Sequence, residues 1–138
     1  MARFTTQALA IAALMISGSP ALAEDGDAEK GEKLFKRCSA CHKIGPEAKN
    51  AVGPVLNGIV GRAAASYPDY KYGKSIKAAG EKGLVWTEEE IFAYLKDPRK
   101  YLRAYLEDKK AKSKMAFKLK KEAQRRDVIA YLKTVGAE

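Results

Sequence analysis

The two cysteines and the single histidine of this 138-residue chain fall in one pentapeptide, Cys38-Ser39-Ala40-Cys41-His42. Two thiols three positions apart on one helical turn can form thioether bonds to the two vinyl groups of a haem. The histidine that follows then lies under the porphyrin face, where its imidazole can ligate the iron. C-x-x-C-H is the attachment pattern of haem c. Three other chemistries use parts of the same pattern. A dithiol oxidoreductase places C-x-x-C where a strand opens into a helix, whereas here a helical-looking segment, residues 29–37, comes first. A zinc site needs four ligands, one more than the pentapeptide contains. A disulfide across two intervening residues closes too small a loop to stabilise much. The motif therefore points to one covalent haem c held through Cys38 and Cys41, its iron cycling between ferrous and ferric, with His42 as one axial ligand.

Composition narrows the second axial ligand. No other histidine exists, which excludes a bis-histidine iron, and of three methionines Met1 and Met15 lie in the N-terminal stretch. Met115 remains. A methionine often fills a core, yet Lys112-Ser113-Lys114-Met115 is a charged run with no apolar helical period. Imidazole plus thioether gives a six-coordinate iron with a raised reduction potential. With no position open to a substrate, such an iron suits electron transfer, so an enzyme is not expected.

These ligands need elements to hold them. Residues 1–23 read as a cleaved export leader: Arg3 gives a basic start, residues 9–16 form an apolar run, and Ala21-Leu22-Ala23 has the small-x-small form of a cleavage site. The run is shorter than the roughly 20 residues of a membrane span. Cleavage after Ala23 leaves one domain, residues 24–138, in the periplasm. Removing the leader takes away only Arg3, so the net charge falls from +9 to +8. Strong positive charge implies an anionic partner, and export argues against nucleic acid.

Asp27 is a good N-cap for a first helix carrying Ala28, Gly31, Leu34 and Phe35 on one face. Residues 43–72 are rich in Gly and Pro and read as loops wrapped around something. A short helix is expected over residues 74–79, ending at Gly80. Thr87-Glu88-Glu89-Glu90 opens another with Ile91, Tyr94 and Leu95 inward, halted by Pro98. Residues 101–108 have helical character, and a last helix is expected over residues 121–135. No useful strand pattern appears. The expectation is an all-α fold, three main helices plus short helices and loops around the haem.

The ordered set of features resembles the class I c-type cytochromes, the long bacterial cytochromes c2 most of all, over residues 26–135. The stretches that carry the resemblance are Gly26-Asp27, Gly31, Phe35, the Cys38–His42 motif, Gly53-Pro54-Val55-Leu56, Gly61-Arg62 and Tyr72. Further on they are Gly83-Leu84-Val85-Trp86, Tyr94-Leu95-Lys96-Asp97-Pro98, Lys114-Met115-Ala116-Phe117 and Asp127-Val128-Ile129-Ala130-Tyr131-Leu132. The resemblance implies that the Pro54 carbonyl accepts the His42 ring N–H. It implies that Arg62, Tyr72 and Trp86 lie around the haem propionates and that Tyr94 sits near the Met115 sulfur, with Phe117 also in the haem pocket. It further implies that Gly31 lets the first and last helices cross closely, with Phe35, Val128 and Tyr131 at the contact. Two stretches are longer than in the short mitochondrial form: residues 103–111, and the segment between Tyr72 and Trp86, where Ser75 is the candidate polar contact to the inner propionate.

Arg37, Arg99, Lys100, Lys112, Lys114, Lys118, Lys120 and Lys121 lie close in sequence to the haem-bearing segments. A basic ring around an exposed haem edge would steer an acidic partner at on-rates of about 10⁸–10⁹ M⁻¹s⁻¹ at low salt. Such electron-transfer complexes are small, below about 1,200 Å². The reading is a monomeric, soluble periplasmic one-electron carrier of photosynthesis or respiration, without stable membrane insertion. By the resemblance, it runs between acidic faces of a cytochrome bc complex and a reaction centre or terminal oxidase. The alternatives are a five-coordinate haem c protein for peroxidase-type chemistry or gas binding, and thiol–disulfide exchange without haem.

Overall fold

Asp27 places the start of the first helix. Its carboxylate accepts the backbone N–H groups of Glu29 and Lys30 at 3.0 and 3.1 Å, giving partners to two donors that a helix N-terminus leaves free. Helix α1, Ala28–Phe35, comes next. The structure, a computed structural model, describes residues 25–136. The expected leader, residues 1–23, and its cleavage after Ala23 lie outside them.

Four further helices are present among the described residues: α2 (Lys74–Glu81), α3 (Glu88–Lys96), α4 (Pro98–Tyr105) and α5 (Glu122–Thr134). Helix α2 runs past Gly80, the expected stop, to Glu81. Helix α3 opens on Thr87, whose hydroxyl oxygen accepts the Glu90 N–H at 3.2 Å. The Glu90 carboxylate accepts the Tyr101 O–H. Pro98 stops α3 as expected, but the same residue also begins α4. Proline is tolerated at the first helical position, and Asp97 caps the new helix by accepting the Lys100 N–H at 3.1 Å. Helical structure therefore starts three residues before the expected Tyr101 and ends at Tyr105.

The crossing of α1 and α5 frames the molecule. A Cβ added at Gly31 would stand 2.0 Å from the Asp127 carbonyl oxygen and 2.8 Å from the Tyr131 Cβ. Only a residue without a side chain allows this approach. Phe35 and Tyr131 pack beside it with ring centroids 5.5 Å apart, and Val128 is buried.

Residues 36–73 contain no helix, as their Gly and Pro content implied. They are nonetheless tied down. The Gly61 N–H reaches the Trp86 carbonyl at 2.7 Å, Trp86 N–H the Arg62 carbonyl at 2.8 Å, and Ala64 N–H the Leu84 carbonyl at 2.8 Å. This short antiparallel pairing, a bridge at Ala63 and Val85, is an extended feature that the sequence did not signal. Val55, Ile59 and Ala64 of the loop are buried together with Leu84, Trp86, Ile91, Leu102, Leu119, Val128 and Leu132. The fold is all-α, and its core is arranged as a shell. No helix among the described residues is long and apolar enough to cross a membrane.

Candidate haem site

The motif continues from α1 without a break. Cys38 N–H and Ser39 N–H both bond the Phe35 carbonyl, and His42 N–H bonds the Cys38 carbonyl at 2.9 Å. These turns leave Cys38, Cys41 and His42 on the wall of one cavity. Cys38 and Cys41 are not joined to each other in a disulfide, and burial pushes the Cys38 thiol above its ordinary range. Among the described residues no group of three or more His, Cys, Asp and Glu is placed to hold a metal ion.

The His42 ring is oriented by the loop that returns over it. Nδ1 lies 2.8 Å from the Pro54 carbonyl oxygen. A carbonyl can only accept, so Nδ1 carries the proton and Nε2 keeps its lone pair. Burial is the main cause holding the imidazole below its ordinary pKa, against the raising effect of the Pro54 bond, and the nearby Arg62 charge lowers it further. A neutral ring with a fixed tautomer is what a metal ligand requires.

Met115 lines the same cavity from the far end of the chain. Its segment is held by Ser113, whose hydroxyl donates to the Met115 carbonyl at 2.9 Å and accepts the Met115 N–H at 3.1 Å. The Tyr94 hydroxyl lies 3.5 Å from the Ser113 oxygen. Beyond Met115, the Arg125 guanidinium donates to the Leu119 and Lys120 carbonyls at 2.9 and 2.6 Å. Arg125 is 1% exposed and lies over the Phe92 ring at 4.2 Å.

The cavity has a volume of about 400 Å³, within the range of a small-molecule or cofactor site. Its wall is largely apolar, including Phe35, Ile59, Trp86, Leu102 and Leu132. Pro54, Arg62, Tyr72, Tyr94 and Phe117 all line it. Arg62 donates to the Asn57 and Val55 carbonyls at 2.9 and 3.0 Å, yet its Nε is buried without a partner. Burial lowers the Arg62 pKa. An unsatisfied buried donor is costly, and a haem propionate is an acceptor of the right charge. The Tyr72 hydroxyl oxygen accepts the Tyr67 N–H at 3.1 Å, which leaves its own proton free to donate. Two cysteines, a tautomer-fixed histidine, a methionine, an apolar wall and a cation with one unpartnered donor fit haem c.

Ser75, the candidate for the inner propionate, accepts the Lys112 N–H at 2.9 Å and does not line the cavity. Ser113 does line it. Sequence reasoning passed over Ser113, although a lone hydroxyl two residues before the only available methionine was a usable signal. Nothing local marked Arg125.

All eight basic residues singled out in the sequence are exposed. Arg37, Lys112 and Lys114 line the cavity and Arg99, Lys100, Lys118, Lys120 and Lys121 do not. Arg37 lies over the Phe117 ring at 5.0 Å. Lys114 donates to the Lys71 carbonyl and lies 5.5 Å from the Tyr70 ring. Lys118 is paired with Asp97 at 2.8 Å.

A family model described as cytochrome c matches residues 28–136. Cytochrome c2 iso-1 of Rhodospirillum centenum is 54% identical over 117 residues, covering 80% of this chain and 98% of its own. Cytochrome c2 of Cereibacter sphaeroides is 45% identical over 142 residues, covering 97% of each. The solved structure of the Rhodospirillum centenum cytochrome c2 superposes with a TM-score of 0.78 at 49% identity, over 81% of this chain and 100% of that one.

Proposed function

The chain belongs to the cytochrome c family, and from that premise we propose that it is a soluble periplasmic one-electron carrier of the cytochrome c2 kind. It carries one covalent haem c and is an electron-transfer protein, not an enzyme. In this proposal electrons come from a cytochrome bc complex and go to a photosynthetic reaction centre or a terminal oxidase. A leader, residues 1–23, is cleaved after Ala23, and an intact mass beginning at Glu24 tests that step.

The observation that carries the reading is the convergence of Cys38, Cys41, His42 and Met115 on one apolar cavity. Cys38 and Cys41 would hold the haem as thioethers, and His42 and Met115 would be its axial ligands. The bound haem supplies an iron that stores and releases one electron. His42 presents Nε2 because Pro54 occupies Nδ1. Ser113 and Tyr94 hold the Met115 segment in register. Arg62, through its unpartnered Nε, and Tyr72 offer donors to a propionate, with Trp86 closing the same wall. Phe117 and the aliphatic side chains exclude water, which limits the change in solvation as charge alternates. Arg37, Lys112 and Lys114 bring positive charge to the rim, and Arg99, Lys100, Lys118, Lys120 and Lys121 extend it over the surface toward an acidic partner.

The test is the absorption spectrum of the purified protein, oxidised and reduced, with and without carbon monoxide. The expected result is low-spin haem c, a sulfur-to-iron charge-transfer band in the oxidised form and no response to carbon monoxide. Met115→Ala should abolish the band, admit carbon monoxide and lower the reduction potential. A wild-type protein that binds carbon monoxide readily would instead favour the open-iron alternative.

A further inference from the structure

The strap that bears Met115 has no regular structure of its own. Residues 111–121 form neither helix nor strand, so their backbone carbonyls must find donors elsewhere. Met115, Ala116, Phe117 and Leu119 line the cavity, which makes the strap one of its walls. On the near side of Met115 it is tied by the Ser113 hydroxyl and by the Lys112 N–H, which donates to the Ser75 oxygen at 2.9 Å. On the far side the Leu119 N–H reaches the Leu95 carbonyl at 2.7 Å, and Lys118 pairs with Asp97.

Arg125 of α5 takes three successive carbonyls at that far end. Its side chain donates to those of Leu119 and Lys120 at 2.9 and 2.6 Å, and its own N–H to that of Lys121 at 3.1 Å. The residue is buried, and among the described residues no carboxylate is paired with it. Its guanidinium lies over the Phe92 ring instead, and Nε has no partner. A buried cation without a counter-charge is costly, and an apolar side chain of similar volume would pack α5 with less penalty. What an apolar side chain lacks is a rigid set of donors that meets two carbonyls at once. Arg125 does not line the cavity, so it can act there only through the strap.

We propose that Arg125 is a positioning residue for Met115: by holding the far end of the strap, it sets how readily the Met115 thioether yields its place to an outside ligand. The inference rests on haem c occupying this cavity with His42 and Met115 as its axial ligands. Met115 and Leu119 lie on one short span of wall. Freeing the Leu119 and Lys120 carbonyls lets that span swing away from the cavity and take Met115 with it.

The experiment titrates the oxidised, haem-loaded protein with imidazole, which must displace Met115 to bind, and follows loss of the sulfur-to-iron charge-transfer band. Arg125→Met removes the donors and keeps much of the volume. The expected result is an imidazole affinity raised about tenfold, the size of effect that losing a charge-assisted hydrogen bond implies. Arg125→Lys keeps the charge without the planar fork and should raise the affinity by less. It supplies the measurement if the first variant does not fold. The Leu119 amide should also exchange hydrogen faster in both. Thr87→Ala, which removes the α3 cap and no strap contact, is the comparison: it should lower the unfolding midpoint and leave imidazole affinity unchanged. An Arg125→Met protein with a lower midpoint but wild-type imidazole affinity would overturn the proposal, because Arg125 would then only pack α5. So would a Thr87→Ala protein that binds imidazole as tightly as Arg125→Met. The oxidised wild-type spectrum before imidazole separates the two readings. A charge-transfer band with no change of affinity in the variants overturns the positioning role alone, whereas absence of the band overturns Met115 as ligand and this inference with it.

Discussion

A Cβ at Gly53 would lie 2.3 Å from His42 Cε1 and 2.6 Å from Nδ1, so the loop passes the imidazole at a distance that only a bare backbone tolerates. The next residue, Pro54, then places its carbonyl on Nδ1. Gly53→Ala must therefore displace the ring or the loop, with a cost of about 1–3 kcal/mol typical of overpacking. Denaturant unfolding of the holoprotein should read that loss, and, with His42 as the proposed axial ligand, the low-spin spectrum should weaken as its ring tilts. Unchanged stability and spectrum would mean that the loop yields freely. At this scale Cys38, Cys41, His42 and Met115 were legible because each is nearly unique of its type and so carries its own signal. Gly53, Ser113 and Arg125 were not, because what they do consists of contacts with residues elsewhere in the chain.

Among the elements, the caps were readable and the joints were not. Asp27 and Thr87 announce α1 and α3 through a side-chain oxygen that needs only its own next few residues. Asp97-Pro98 reads as a stop, and its second use as a start depends on whether the Asp97 carboxylate caps the next helix. It does so, and it also pairs with Lys118. The Lys118 bond, then the Lys100 N–H, hold its carboxyl below the ordinary value of 3.8. A carboxylate with a depressed folded-state pKa contributes stability above its unfolded value and loses it as pH falls through the folded one. Asp97→Asn should therefore lower stability at neutral pH, and the difference should vanish below the ordinary carboxylate range. Acid titrations of both proteins followed by circular dichroism check this. At the α1–α5 crossing, the contact prevented by a Gly31 side chain is with backbone, the Asp127 carbonyl. Gly31→Ala should thus cost about 1–3 kcal/mol, read as a lower unfolding midpoint, despite the higher helix propensity of alanine.

For the molecule as a whole, positive charge and a hollow core are the two decisive properties. Arg37 and Lys112 line the cavity, whereas Lys133 is spent on Glu88 at 2.7 Å. Charge reversal at Arg37 or Lys112 should slow electron exchange with an acidic partner and flatten its dependence on salt. Reversal at Lys133 should do less. Stopped-flow rates across ionic strength decide, since the screening length shrinks from about 30 Å at 0.01 M to about 8 Å at 0.15 M. Equal effects at all three sites would show that net charge alone matters.

The haem chemistry, the ligand candidates, the helix caps and the loop-rich segment between the first helix and α2 were all readable from the chain alone. Each of those comes from residue type and short-range spacing. Tertiary structure added how Met115, read from the sequence as a ligand by elimination, is held at the wall of the cavity it shares with His42, through two Ser113 hydroxyl bonds to its backbone. It also decided that Ser113 rather than Ser75 lines that cavity, and that Arg62 keeps one donor unpartnered. These depend on how near in space the folded loops bring residues distant in the chain, and no local pattern encodes that distance.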